Sequence, residues 1–320
     1  MIGSEPGIDA ARIDVVIVNW NSGDQLRACV KSLAASADAA YLHVVVVDNA
    51  STDGSADRLD GDGLALTVRR NPDNLGFGKA CNQGVAMGRA GTILFLNPDT
   101  EVTRDGIPAA LAALDARGDA GIVGARLVDA DGTTHRTCAR TPTARGLVEN
   151  VMLLDRLLPR LTHQHFMTEW DHADSRPVDA VMGAFLMIPR PLFESLDGFD
   201  ERFFVYFEDT DLCARVLAAG RSVNHVADAV VLHRGQGSSA QVRDRRLFYF
   251  LRSQALFTEK HHGRAAAYAV LAGAFLAQMP IRILHALLAK RSLAEAGAVL
   301  RAARMLAAAT PRLLGVASRH

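Results

Sequence analysis

Val44-Val45-Val46-Val47-Asp48-Asn49-Ala50-Ser51 sets four consecutive β-branched residues ahead of a carboxylate and a polar turn. A run so short and so uniformly apolar predicts a strand over 44–47 buried on both faces, the kind found inside parallel sheets. Asp48 then stands where the strand ends. Working outward, residues 13–18 predict an equivalent strand ending at Asn19, and 64–68 a third, ahead of Asn71-Pro72-Asp73-Asn74. Residues 92–96 predict a fourth, ending at Asn97-Pro98-Asp99. Between them, 25–35 carries helical spacing through Leu26, Cys29, Val30 and Leu33, and 79–89 and 105–117 read as further helices. Strands alternating with helices indicate βαβ units and an α/β fold on a mainly parallel sheet. Right-handed crossovers place every strand-end loop on one edge of such a sheet. Asn19, Asp48 and the residues from Asn97 to Asp99 are therefore expected to converge on one crevice.

The 320 residues are nearly half apolar, enough for a sizeable core, and the formal net charge is zero. The charge is unevenly spread. Residues 1–242 hold 22 Lys/Arg against 32 Asp/Glu, or −10, and residues 243–320 hold 13 against 3, or +10. This predicts an acidic front domain (1–242) and a basic, apolar, helical C-terminal region (243–320) suited to an anionic surface. Cys29, Cys81, Cys138 and Cys213 show no metal-type spacing and read as buried free thiols. The first 13 residues lack the basic start and apolar run of a secretory signal, which points to the cytoplasm. Residues 133–177 are less regular, rich in Thr, His and Arg, and read as an acceptor-side segment. Residues 178–189 are strand-like, and 209–219 form a helix closed by Gly220.

Several of these positions suit particular chemistry. A carboxylate such as Asp48 at the mouth of a parallel sheet accepts hydrogen bonds from a ring N–H or a ribose hydroxyl, whereas Ser51 and Asp53 read as caps of a following helix. Asp99, on a rigid strand end, can anchor a hard divalent cation whose other ligands come from phosphates; a plain turn capping the helix at 105 is the alternative. Phe203-Phe204-Val205-Tyr206-Phe207-Glu208-Asp209-Thr210-Asp211 puts four aromatics before three carboxylates at a helix start. A general base needs a carboxylate beside an apolar wall, and Glu208 and Asp209 supply a base and a positioning group. Acidic residues at a helix start also complement the macrodipole, and Asp211 faces Arg215 at i,i+4 as a structural pair. Val230-Val231-Leu232-His233 places a histidine after an apolar strand, where a ring nitrogen can join Asp99 on a metal.

Taken in order, Val15-Val16-Ile17-Val18-Asn19-Trp20-Asn21, Val47-Asp48-Asn49-Ala50-Ser51-Thr52-Asp53-Gly54, Asn74-Leu75-Gly76-Phe77-Gly78, Asn97-Pro98-Asp99 and Glu208-Asp209 resemble inverting glycosyltransferase family 2, in its bacterial rhamnosyltransferase-like branch. The resemblance covers residues 13–237. It implies the GT-A nucleotide-diphospho-sugar transferase fold, Rossmann-like, with helices on both faces of a mainly parallel sheet and a C-terminal helical extension. By position, Asp48 would contact the nucleobase, Asn19 and Asn49 would line the donor pocket, and Asn97 and Asp99 would face the diphosphate. Asp99 matches the terminal acid of the family's metal motif, while Asn97 replaces the first acid with a neutral oxygen. Asp209 matches the catalytic base with Glu208 beside it, His233 matches a histidine that completes the metal site in some relatives, and Gly183-Ala184 match a loop near the acceptor.

The implied reaction is a single in-line displacement assisted by Mg²⁺ or Mn²⁺. It would move a hexose, first choice rhamnose from dTDP-rhamnose, to a saccharide hydroxyl on a lipid-linked glycan in cell-surface polysaccharide synthesis. The rival readings are an inactive nucleotide-sugar-binding protein, favoured by Asn97, and a nucleotidyltransferase. The latter would need a basic Gly-rich loop that Asn19-Trp20-Asn21-Ser22-Gly23 does not provide. Residues 265–281 are a marginal membrane span, and 293–309 read as a basic amphipathic helix lying in a headgroup plane. The expected setting is peripheral, on the inner face of the plasma membrane, with a helical cap or an oligomer interface as the alternative use of these helices. Nucleic-acid binding is not expected, because the basic excess lies in apolar helices without interleaved aromatics.

Overall fold

The computed structural model describes residues 11–57, 59–235 and 243–313. The reading of the first 13 residues, and the end of the tail, fall largely outside them. Chain order is β1 (Ile13–Asn19), α1 (Asp24–Ala34), β2 (Leu42–Asp48), β3 (Ala65–Arg70), α2 (Phe77–Val85), β4 (Thr92–Leu96), β5 (Thr100–Val102), α3 (Gly106–Asp115) and β6 (Ala120–Val128). Next come α4 (Ala144–Val151), α5 (Leu154–Leu157), β7 (Arg176–Val178), β8 (Phe185–Pro189), α6 (Arg190–Ser195), α7 (Glu208–Ala218) and β9 (Ser222–His233). The remainder is helical: α8 (Arg243–His262), α9 (Arg264–Gly273), α10 (Met279–Leu288) and α11 (Leu293–Leu313), with a π-helical turn, Ala274–Gln278, joining α9 to α10.

The chain divides into two compact units. One comprises Met1–Arg140, Phe166–Glu201 and Glu208–Ser238; the other comprises Thr141–His165, Arg202–Phe207 and Ser239–His320. The irregular stretch 133–177 is thus shared, its middle contributing α4 and α5 to the helical unit.

In the first unit the sheet order is β3-β2-β1-β4-β8-β6-β9-β5, with β7 also on β9. The four strands read from the apolar runs pair in parallel, β3 with β2, β2 with β1 and β1 with β4. Beyond β4 the sheet is mixed rather than mainly parallel. β8 runs antiparallel to both β4 and β6, β6 and β9 are parallel, and β5 and β7 each run antiparallel to β9. The strand-like stretch 178–189 holds the end of β7 and the whole of β8, with a turn between them: Ala180 exchanges hydrogen bonds with Ala139, and Phe185 N–H bonds Met182 O. Helix α2 stops at Val85, short of Arg89, where the bonds from Met87 N–H to Gly84 O and Gly88 N–H to Val85 O tighten the chain into a turn.

Both faces of the sheet are covered. Ile13, Val15 and Ile17 pack with Leu26, Cys29 and Leu33 of α1 and Ile107 and Ala110 of α3. Val16 and Val18 point the other way, towards Ala80 and Cys81 of α2 and Leu212, Cys213 and Val216 of α7. All four cysteines are buried free thiols. β6 lies close beneath the chain before β8: a Cβ at Gly124 would stand 2.6 Å from the Val181 side chain, so the approach requires glycine.

The helical unit has its own cores. Val151 packs with Leu251 and Ala255 of α8, Ala267 and Leu271 of α9, Met279 and Leu306. Leu147, Phe203, Leu256, Phe257 and Val270 form a second cluster. Its Arg202–Phe207 segment is fixed by α8: Arg252 Nη1 donates to Arg202 O at 2.8 Å, Ser253 Oγ to Val205 O at 2.8 Å, and Phe204 stacks on Tyr249 at 4.3 Å.

Candidate active site

The strand registers bring the sequence-predicted residues to one rim. Asn19 is level with Asp48, and Ile17 with Leu96, so Asn19, Asp48 and Asn97 all leave the same edge of three adjacent strands. Leu96 is level with Phe185 of β8, and Asn97 N–H bonds Ala184 O at 3.0 Å, which adds Gly183 and Ala184 to that rim. Asp209, half-buried in the first turn of α7, accepts a 2.9 Å bond from Gly183 N–H on Oδ2. On Oδ1 it accepts from Thr210 N–H at 2.7 Å and the Thr210 hydroxyl at 3.2 Å. Thr100 of β5 pairs with His233, and His233 Nε2 lies 3.5 Å from Asp99 Oδ2.

The Asp48 corner is tightly braced. Asn19 Nδ2 donates to Asp48 Oδ1 at 2.7 Å, to Ser51 Oγ at 3.0 Å and to Ser55 Oγ at 2.8 Å, and Asn19 Oδ1 accepts from Ser22 Oγ. Ser51 donates its hydroxyl to Asp48 Oδ1 at 2.5 Å and its N–H to Oδ2 at 3.3 Å. Asn19 is fully buried, so it orients Asp48 from behind. Asn49 is also turned inward: its amide donates to Gly76 O at 3.1 Å and accepts from Asn71 Nδ2 at 2.9 Å, holding the Gly76 turn. Ser51 and Asp53 cap no helix, since among the described residues none lies between β2 and β3. Asp53 instead accepts from Gly23 N–H at 2.8 Å and from Ser55 N–H at 2.9 Å, tying two rim loops together.

The Glu208–Asp209 pair is electrically asymmetric. Burial first, and then the charge of Asp209, push the Glu208 carboxyl up to about 8. Glu208 Oε2 is buried with no hydrogen-bond partner among the described residues. At neutral pH Glu208 therefore holds its proton, and Asp209 is the more exposed of the two. The backbone just before them is strained: Tyr206 and Phe207 adopt φ of 70° and 68°, a left-handed conformation that bulky residues seldom take and that recurs at functional sites. Asp211 is structural, bonded by Arg215 Nε at 2.8 Å.

Asp99 and His233 fit a divalent cation as a partial site. Each side chain is about 12% exposed, and a carboxylate oxygen and an imidazole nitrogen face each other. His233 is the last residue of β9 rather than the residue after it, so the strand itself aims the ring. Among the described residues no group of three or more His, Cys, Asp or Glu could hold an ion unaided. A cation here would draw its remaining ligands from a diphosphate and water. Two neighbours lie beyond the reach of sequence reasoning: His135, whose ring meets that of His233 edge-on at 5.9 Å, and Glu101, which accepts from Arg234 Nε at 2.7 Å beside Asp99. The β5–β9 pairing that gathers them carries no short-range signal.

The sequence model of glycosyl transferase family 2 matches residues 14–183. A similar protein is the N-acetylglucosaminyl-diphospho-decaprenol L-rhamnosyltransferase of Mycobacterium tuberculosis, 29% identical over 271 residues, covering 78% of this chain and 85% of that one. Among solved structures, the Pyrobaculum calidifontis mannosyltransferase PcManGT, in complex with GDP-Man and Mn²⁺, superposes with a TM-score of 0.53 at 18% identity, over 95% of this chain and 87% of that one. S. aureus TarS 1-349 in complex with UDP-GlcNAc gives 0.54 at 16% identity, over 94% and 82%. These likenesses match the GT-A fold with a helical C-terminal region that the resemblance implies. The chain belongs to glycosyl transferase family 2 and is a glycosyltransferase.

Proposed function

We propose that this enzyme transfers rhamnose, from dTDP-rhamnose as first choice, to a saccharide hydroxyl on a lipid-linked glycan, with inversion and with Mg²⁺ or Mn²⁺. The observation that carries the chemistry is the placement of Asp209, held on Gly183 N–H at the rim where Asn19, Asp48 and Asn97 leave the sheet. The rhamnosyltransferase relative supports the donor sugar, and its lipid-diphosphate acceptor supports the acceptor class and work at the inner face of the plasma membrane.

In this reading Asp48 Oδ2, which among the described residues takes only the long Ser51 N–H bond, receives the nucleobase N–H. Asn19 and Ser51 keep that carboxylate from rotating. Asp99 and His233 would hold the cation, which, when bound, offsets charge on the departing diphosphate. Asp209 Oδ2 has lone-pair capacity beyond the Gly183 bond and takes the acceptor hydroxyl's proton. The acceptor oxygen bonds the anomeric carbon as the bond from that carbon to the diphosphate oxygen breaks. Glu208, still protonated, leaves Asp209 as the only negative charge of the pair. Holding both substrates in line contributes much of the acceleration.

A thermal-shift screen of nucleotide sugars with Mn²⁺ tests the donor, because a ligand that binds the folded state raises its melting temperature. The largest rise is expected with dTDP-rhamnose, followed by rhamnosyl transfer to a lipid-linked saccharide. No stabilisation by any nucleotide sugar would overturn the reading.

A further inference from the structure

Among the described residues, the run Arg264–Leu288 is the one helix long and apolar enough to cross a bilayer. Its two faces differ sharply. Ala267, Val270, Leu271, Ala274, Met279 and Ala286 are buried in the helical unit. On the outer face, Leu276 is 80% exposed and Leu288 70%, and Tyr268, Ile281, Leu284 and Leu287 are exposed with them. These positions recur at helical spacing and form one apolar stripe. Such a run of exposed apolar side chains is unlike leucines scattered singly on a soluble surface.

Charge identifies what covers the stripe. Over residues 259–295 five Lys/Arg stand against Glu259 and Glu295, or +3; Arg264 and Lys290, at the two ends of the stripe, lie 3.9 Å from Glu259 and 2.9 Å from Glu295, with Arg291 beside the latter pair. A second copy meeting this face by two-fold symmetry would bring like charges together. An anionic headgroup layer meets the same cations with opposite charge. Packing argues against a crossing helix: its inner face is packed, Gln278 is buried, and burial, then the charge of Arg156, lowers the pKa of Arg282 on that run. A spanning helix would have to present those groups to lipid.

We propose that the Tyr268–Leu288 stripe docks the enzyme in the plane of a bilayer containing anionic phospholipid, the helix lying at the headgroup boundary. This deepens the lipid-linked-acceptor reading above and rests on it only for the purpose of docking. It places the contact on residues 268–288, overlapping the marginal span read at 265–281 and preceding the amphipathic 293–309.

The test is co-sedimentation of the full chain with vesicles of phosphatidylcholine alone, and of equal parts phosphatidylcholine and phosphatidylglycerol. The wild type is expected to partition into the anionic vesicles at least about tenfold more strongly, and Leu284→Glu with Leu288→Glu to lose about tenfold or more of that binding. Tyr41→Glu, an exposed change on the sheet unit, is expected to bind as wild type. Because the variant residues are exposed, folding is checked by circular dichroism. Leu276→Trp, whose added emission brominated lipid should quench, gives an independent reading. Binding unaffected by the double substitution, added emission that brominated lipid leaves unquenched, or a wild-type dimer that ignores vesicles would each overturn the proposal. Turnover on a water-soluble acceptor, measured in the same preparations, separates a failure of docking from a failure of the transferase reading.

Discussion

Asp48 and Asp209 are both carboxylates on one rim, yet their surroundings are opposite in kind. Asp48 is 5% exposed and gripped by Asn19 and by the Ser51 hydroxyl and N–H. Asp209 is half-buried, and beside it stands the Glu208 carboxyl, pushed up to about 8 and with one oxygen lacking a partner among the described residues. His233, towards the far end of the rim, likewise keeps Nδ1 buried without a partner among the described residues. A carboxylate braced on one oxygen and open on the other is a fixed template, fit for recognising a ligand. A carboxylate amid unsatisfied groups stores the electrostatic difference that chemistry uses. On the proposed function, the contrast divides the rim into a corner that reads and a corner that reacts.

The division can be broken by substitution. Asp209→Asn is expected to lower kcat on the order of 10³-fold with donor affinity unchanged, measured by steady-state kinetics beside calorimetric donor binding. Near-normal turnover would remove Asp209 from the reacting corner. Asp99→Asn is expected to cost on the order of 10²-fold in turnover and to shift the Mn²⁺ dependence to higher concentration, read by titrating Mn²⁺ in the presence of a nucleoside diphosphate. Ser51→Ala should leave kcat intact, raise the donor Kd a few-fold and cost about 1 kcal/mol of stability in urea unfolding, since it strips a part-buried bond from Asp48.

Glu208→Gln sharpens the comparison through pH. With a folded pKa of about 8 against an ordinary 4.5, Glu208 binds its proton more tightly folded than unfolded across that window. Wild-type stability therefore falls as pH rises from about 4.5 to 8 and levels off above, while the amide lacks this dependence. The variant should gain over wild type, by a few kcal/mol at most on the alkaline side, in thermal melts run across that range. A difference independent of pH would contradict a buried, protonated Glu208.

Much of the fold is legible in the sequence because its signals are local. The apolar runs that form β1, β2 and β4, and the polar residue ending each, follow from two-sided burial in a parallel sheet. β6 and β9 are harder. Gly121 and Gly124 dilute the β-branched pattern of one, and the other bends between Ala125 and Arg126 of its partner, where the register shifts. Asp14 shows the limit most clearly. It lies inside the apolar run of β1, wholly buried, and nothing nearby in sequence accounts for it. In the fold it accepts from His43 Nδ1 at 2.8 Å, Ala90 N–H at 2.8 Å and Arg190 Nη2 at 2.6 Å. Burial would raise its pKa, and these bonds together hold it below the usual carboxylate range. The site follows the same rule. Asp48, Asp99 and Asp209 sit at element ends that sequence can mark, but the inward turn of Asn19 and Asn49 and the partnership of His135 with His233 depend on contacts across the sheet.

Catalysis as proposed rests on one displacement at the anomeric carbon, driven by Asp209. The anomeric configuration of the product, read by NMR from the carbon–proton coupling at the new linkage and compared with the donor's, tests this most directly. Inversion is the predicted result. Retention would require a nucleophile and a second displacement for which this rim provides no assigned group, and would contradict a single step with Asp209 as base.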